Sequence, residues 1–191
     1  MRLRRKALVL TSGGVDSFAA AHYMQSMQRE VTCCFVDYSQ PAAQLEYQSA
    51  QKIAEHLKNE IVVLKFDGAS IPSDGEICSR NLFLLSAASL YANKRFSEIV
   101  IGVHSGTQYF DCSSDFVISA NKVIQQGSGN TQRIVAPFLD WSKADLFSYC
   151  NKAQLPLELT YSCERGAKLP CGECLSCLDR GVISASGEAS L

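Results

Sequence analysis

The sequence predicts an α/β fold, a doubly wound five-stranded parallel sheet with a small four-cysteine zinc-binding tail at its C-terminal end. Three observations predict it. Short apolar, β-branched runs alternate with longer amphipathic runs five times along 191 residues, which is the pattern of successive strand–helix units with helices on both faces of the sheet. The composition is that of one globular core, with 47% hydrophobic and 19% charged residues. After about residue 155 the periodicity gives way to a cysteine-rich segment, which divides the chain into an α/β domain (1–155) and a tail (156–191) packed on it.

Each element follows from local pattern. Ala7–Leu10, Val31–Val36, Ile61–Leu64, Ile99–Val103 and Arg133–Ala136 read as strands, apolar enough to be buried on both faces. Ser17–Gln28, Ala43–Leu57, Leu82–Asn93, Asp115–Gln126 and Ser142–Gln154 read as helices by their 3.6-residue spacing. Residues 66–79 and 126–132 read as loops, and Ser184–Leu191 as a loose end. Right-handed crossovers are expected. In such sheets ligands bind beyond the carboxyl ends of the strands, so chemistry is sought just after each strand.

Bulk charge narrows the partners. The net charge of −1 gives no global basic field for nucleic acid. The basic start Met1–Lys6 is followed by only four apolar residues, Ala7–Leu10, too few for a signal core or a membrane span. No membrane contact and a cytoplasmic location are therefore expected. Nine cysteines without such a signal argue against a disulfide framework. Cys33 and Cys34 read as core residues.

The first strand runs into Leu10-Thr11-Ser12-Gly13-Gly14-Val15-Asp16-Ser17. Glycines let the backbone approach a ligand, and the helix start beyond them offers free N–H groups and the positive end of its dipole. Together these form an anion cradle, to which the Ser12 and Ser17 hydroxyls can add donors. The spacing fits neither a Walker A loop nor a GxGxxG turn. Ser142-Lys143-Ala144-Asp145 reads as a helix start capped by Ser142 with Asp145 reaching back. A lysine in a first turn opposes the helix dipole, so Lys143 is better explained by an anion beside it than by solvent alone.

The tail carries Cys163-x7-Cys171-x2-Cys174-x2-Cys177. Four thiolates suit a tetrahedral Zn2+ with no open position, which makes a structural zinc the leading expectation and a [4Fe–4S] cluster the competitor.

Ser12–Ser17, SGGVDS, resembles the pyrophosphate loop (PP-loop) of the N-type ATP pyrophosphatases, of adenine nucleotide α-hydrolase-like fold. Further segments, Asp37-Tyr38-Ser39-Gln40, Ser79-Arg80-Asn81, Ile101-Gly102-Val103-His104, Phe110-Asp111-Cys112, Pro137–Asp145 and the tail up to Arg180, together resemble the QueC family of 7-cyano-7-deazaguanine synthases over about residues 7 to 180. The resemblance implies an AMP-forming, ATP- and Mg2+-dependent C–N ligase of queuosine biosynthesis. It would adenylate 7-carboxy-7-deazaguanine, amidate it with ammonia and dehydrate the amide to the nitrile preQ0. Ser12, Asp16 and Lys143 would serve catalysis. The nucleotide would be held by Leu10, Thr11, Ser12, Gly13, Gly14, Val15, Asp16, Ser17, Asp37, Tyr38, Gly102 and Lys143. Arg80, Asn81, Phe83, Phe110 and Asp111 would take the acid substrate, Asp111 by accepting from a guanine-like edge. Plain turn, packing or surface roles compete for Asp37, Arg80, Phe83, Asp111 and His104. A homodimer is also implied.

The sequence departs from the family pattern in places. The segment before Arg80 is short, and Ser79 stands where the family has glycine. The loop from His104 to Asp111 is short and lacks the usual acidic residue and Tyr-Pro step. Ser113 replaces an arginine, and Pro41-Ala42-Ala43 replace basic residues. Such trimming would suit a larger acceptor, a protein or nucleic acid joined to the deazaguanine through an amide, as in QueC-like proteins of antiviral defence operons. A tRNA-thiolating enzyme is a further alternative, for which Cys78 or Cys112 would have to be reactive.

Overall fold

The computed structural model describes residues 5–68, 71–72, 76–104, 109–178 and 180. Five strands, β1 (Lys6–Leu10), β2 (Glu30–Asp37), β3 (Glu60–Lys65), β4 (Glu98–Val100) and β5 (Arg133–Val135), pair in parallel in the order β3-β2-β1-β4-β5. The order reverses between β1 and β4, which opens a crevice at their carboxyl ends. Helices α1 (Val15–Ser26), α2 (Ala43–Leu57), α3 (Arg80–Ala92), α4 (Ser114–Gly127) and α5 (Lys143–Lys152) complete the units.

Alternation along the strands sorts the helices between two faces. Ala7, Val9, Val31 and Cys33 point to one side and pack with Phe18 and Met24 of α1, Ile53 and Leu57 of α2, and Leu146 and Cys150 of α5. Leu8, Leu10, Cys34 and Val36 point to the other and pack with Leu85 and Ala88 of α3 and with Phe116, Val117 and Ile124 of α4. Both faces of the sheet are thus dry, which is why the strands read as unbroken apolar runs.

Three boundaries differ from the sequence reading in ways that shape the site. α1 begins at Val15 rather than Ser17, and α3 at Arg80 rather than Leu82, so Asp16 and Arg80 each stand in a first helical turn. The β4 ladder ends at Val100 instead of continuing to Val103. The chain still follows β5 there, through Ile101 N–H to Val135 O at 3.0 Å and an isolated bridge between His104 and Phe138. It leaves the ladder because Gly102 is pressed against α1: a Cβ on Gly102 would lie 2.7 Å from the Asp16 carbonyl oxygen. Ser184–Leu191 lies outside the described residues. No helix among the described residues is long and apolar enough to cross a membrane.

Candidate active site

The crevice beyond β1, β2 and β4 holds a cavity of about 630 Å3. Leu10, Thr11, Ser12, Gly14, Val15, Asp16 and Ser17 line it from the first loop. The loop is built to stay in place. Gly13 has φ +89°, and a Cβ there would fall 2.5 Å from the Glu46 carbonyl oxygen, so only glycine fits between the loop and α2. Behind the loop, Thr11 N–H donates to Cys34 O at 2.8 Å, and the Thr11 hydroxyl to Val9 O at 2.9 Å. The Ser17 hydroxyl turns back onto Gly14 O at 2.9 Å, while Ser12 Oγ sits 3.4 Å from Ser17 Oγ. Gly14 caps α1 without a side chain, which leaves the helix N–H groups facing the crevice for a ligand.

Lys143 reaches this helix start from α5. Its Nζ lies 3.1 Å from Asp16 Oδ1 and 3.3 Å from Oδ2, and 3.4 Å from Nε2 of the buried His104. The predicted capping box is present: Ser142 Oγ accepts from Asp145 N–H at 3.2 Å, and the Asp145 carboxylate from Ser142 N–H at 2.9 Å. That cap fixes the first turn from which Lys143 extends. Asp16 is thus the counter-ion of Lys143 beside the Ser12–Ser17 loop, and His104 completes the group.

The remaining predicted residues divide. Tyr38, Gly102, Arg80, Asn81 and Asp111 line the cavity. Asn81 is buried, its Nδ2 donating to Asp111 O at 3.0 Å and its backbone N–H to Asp111 Oδ2 at 3.2 Å, which ties the start of α3 to the loop before α4. Asp37, Phe83 and Phe110 are not on the cavity wall. Asp37 Oδ1 accepts from Ser39 N–H at 3.1 Å as a turn carboxylate, and Phe83 packs edge-on to Phe66 and Tyr38 at 5.0 and 6.1 Å between centroids. Phe110 is two-thirds exposed, packing edge-on to Phe116.

Residues that the sequence did not mark also form the wall. Gln40 and Glu46 come from the end of β2 and from α2, and Tyr161, Ser162, Glu164, Leu175, Ser176 and Arg180 from the tail. The tail is fastened to the loop itself, Tyr161 N–H donating to Gly13 O at 2.9 Å. Arg180 ties its two ends together through Thr160 O at 2.9 Å and Leu157 O at 3.3 Å. Repeated apolar spacing marks helices and strands, and a tail held by backbone contacts leaves no such signal.

Behind this wall the Sγ atoms of Cys163, Cys171, Cys174 and Cys177 lie within 4.8 Å of one another. A tetrahedron with metal–sulfur bonds of ~2.3 Å has edges of about 3.8 Å, and the Cys171–Cys177 separation is 3.8 Å. A cubane cluster bonds each thiolate to a different iron and needs them farther apart. Burial alone would push the Cys163 thiol up, but backbone N–H groups of Cys171, Ala167 and Arg165 outweigh it and bring it down to about 6. The four residues therefore fit a single metal ion. The other cysteines differ: burial pushes Cys33 up to about 11, and Cys34 and Cys150 up to about 12, as for inert core thiols.

A family model described as queuosine biosynthesis protein QueC matches residues 6–71 and 65–183. The chain belongs to the QueC family. Among curated relatives, it is similar to the 7-cyano-7-deazaguanine synthase of Sulfurihydrogenibium sp. (strain YO3AOP1), 32% identical over 209 residues with 94% of each chain covered. The synthase of Aquifex aeolicus is 32% identical, covering 91% of this chain and 93% of that one. Solved structures share the fold at lower identity. NMN synthetase from Francisella tularensis gives a TM-score of 0.60 at 13% identity, over 95% of this chain and 77% of that one. The U34-tRNA thiolase NcsA from Methanococcus maripaludis, solved with its [4Fe-4S] cluster, gives 0.51 at 17%, over 98% and 67%.

This QueC chain lacks residues that its curated relatives carry. The first alignment spans 209 residues against 191 in the whole chain, so the relative carries residues absent here. The two blocks of the family match overlap at 65–71, beginning at the last residue of β3.

Proposed function

We propose that this protein is an AMP-forming ligase that converts 7-carboxy-7-deazaguanine to its nitrile with ATP and ammonia. The observation that carries the proposal is the Lys143–Asp16 pair at the mouth of the Ser12–Ser17 cradle, in a chain of the QueC family. A carboxylate is a poor electrophile until one oxygen becomes a leaving group. Its oxygen attacks the α phosphorus of ATP, the bond to the β phosphate breaks, and pyrophosphate departs as an anion. The cradle N–H groups and the Lys143 ammonium stabilise that growing charge, which is the main service such a site offers. Mg2+, when bound with ATP, would supply further charge neutralisation. Ammonia then adds to the acyl carbon, loses a proton and expels AMP, leaving the amide. A second ATP activates the amide oxygen in the same way, and loss of two N–H protons with AMP yields the nitrile. No step needs a protein nucleophile.

Zinc is the metal we assign to Cys163, Cys171, Cys174 and Cys177. Four protein sulfurs close its coordination, so its role is to fold the tail. Metal analysis at one zinc per chain with no visible absorption supports this, and an iron chromophore overturns it. The sulfur spacing also weighs against a thiolase carrying a cluster.

The trimmed loops favour one second reading, in which the activated acid is passed to an amine of a protein or nucleic acid. Incubation with ATP, Mg2+ and 7-carboxy-7-deazaguanine, with and without ammonia, followed by mass spectrometry, separates the two. AMP and nitrile together support the synthase. AMP without nitrile moves the acceptor to a macromolecule. No AMP in either condition ends both readings.

A further inference from the structure

Among the described residues, five carboxylates line the crevice, those of Asp16, Glu46, Glu76, Asp111 and Glu164. Four have other employment or position. Both oxygens of Asp16 meet Lys143, and Asp111 accepts from the Asn81 backbone N–H. Glu164 Oε1 accepts from Ser176 through its hydroxyl at 2.7 Å and its N–H at 3.3 Å. Glu76 is exposed at the rim, in the loop before α3.

Glu46 is different. It stands in the first turn of α2, half-buried, with Oε2 held by Gln40 Nε2 at 2.8 Å. Gln40 is itself buried and oriented at both ends, its Nε2 also donating to Val36 O at 3.3 Å and its Oε1 accepting from Tyr38 N–H at 2.9 Å. The relay fixes the carboxylate and leaves Oε1 with no hydrogen bond among the described residues. Burial raises the proton affinity of Glu46 by more than the Gln40 hydrogen bond and the charge of Arg80 lower it. The second oxygen of this half-buried carboxylate is open to the crevice, where an entering ligand with N–H donors can take the place of water.

We infer that Glu46 is the specificity-determining residue of the crevice, accepting the paired N–H donors of a guanine-type edge, the ring N–H and the exocyclic amino group of the acid substrate. This inference rests on the function proposed above. Two parallel donors match the two oxygens of one carboxylate, as a guanidinium does. Asp111, the residue the sequence offered for this role, is committed to Asn81. A ribose diol also presents two donors, and the experiment separates it from the base.

The test uses the full-length, metal-loaded chain and its Glu46→Gln variant, compared by melting temperature and metal content. Calorimetry measures binding of 7-carboxy-7-deazaguanine, of its analogue lacking the 2-amino group, and of a non-hydrolysable ATP analogue. Glu46→Gln turns an acceptor into a donor facing an N–H, and the acid should bind about 10- to 100-fold more weakly, with the nucleotide within about twofold. The wild type should bind the des-amino analogue at least about tenfold less tightly than the acid, and the variant should lose that preference. Equal binding of acid and analogue by the wild type, a measurement that needs no variant, overturns the inference. So does an unchanged acid affinity in the variant, or a loss confined to the nucleotide. A wild type that binds no acid at all overturns the proposed function instead.

Discussion

At the scale of single residues, backbone conformation sets the cost of Ser79 and side-chain pairing the role of Lys143. Ser79, where the resemblance to the family implies a glycine, has φ 60°, in the left-handed region where a Cβ is penalised. Its side chain makes no capping hydrogen bond in return. Ser79→Gly should raise stability by about 1 kcal/mol in urea unfolding. A loss of stability would mean that the serine holds the loop by some contact of its own. Lys143 gives the second prediction. It is one-third exposed and paired with Asp16, so its charge serves the site more than the core. Lys143→Met should lower kcat about 10²- to 10³-fold while leaving the melting temperature within a few degrees, the cost of removing one preorganised charge from a transition state. An unchanged kcat would remove Lys143 from the chemistry.

At the scale of elements, a carboxylate beneath the sheet matters as much as the crevice above it. Glu98 opens β4 at the opposite end from the site and is fully buried. Arg29 Nε meets its Oε2 at 2.9 Å, Arg133 contacts Oε1, and Arg5 lies 3.5 Å away. Burial alone would push this carboxyl up, but the hydrogen bonds and charges of Arg133 and Arg29 prevail and hold it below the ordinary glutamate value. A depressed carboxyl contributes stability that is complete above its unfolded pKa and is lost as pH falls through the folded one. Unfolding free energy should therefore be flat above about pH 5 and fall on acidification below pH 4.5, the ordinary value. Glu98→Gln should cost about 2–3 kcal/mol at neutral pH and make that acid slope shallower, read by urea melts across pH. A variant with the same slope would show that other carboxyls govern acid unfolding.

Legibility also differs by element. All five strands and helices are readable in the sequence, because each is a local pattern of apolar spacing. β4 reads too long because Ile101 and Val103 are apolar and buried, yet the close approach of Gly102 to α1 takes the chain off the ladder. The Ser12–Ser17 cradle is readable since glycine turns and helix starts are local chemistry. The pairing of Lys143 with Asp16 joins residues 127 positions apart, and only a resemblance can anticipate it. Glu46 is not readable at all. On an amphipathic helix it looks like any solvated carboxylate, and its place in the wall depends on how α2 packs over Gly13.

At the scale of the whole molecule, the cysteine tail and the nucleotide loop form one mechanical unit. Tyr161, two residues before Cys163, donates to Gly13 O, and a Cβ on Gly166 would lie 2.4 Å from Pro41 O just before α2. The tail therefore presses on both supports of the loop, and six of its residues complete the wall. Among the described residues the tail has no sizeable core of its own, for its buried cluster consists of Cys163, Cys174 and Cys177, with Tyr161, Ala167 and Cys171 against them. With the zinc proposed above, metal binding would supply what the core lacks, so metal and nucleotide affinities should be coupled, and coupling between two sites is reciprocal. Removing the metal with a chelator under reducing conditions should weaken binding of the non-hydrolysable ATP analogue about 5- to 150-fold, the ordinary range of such couplings. Amide hydrogen exchange should rise in residues 12–17 as well as in 160–178, while β1 and β2, buried on both faces, stay protected. Readdition of Zn2+ should reverse both effects. Metal-free protein that keeps its nucleotide affinity, with faster exchange confined to the tail, would reduce the tail to an appendage and place the whole support of the loop in Gly13, Thr11 and α2.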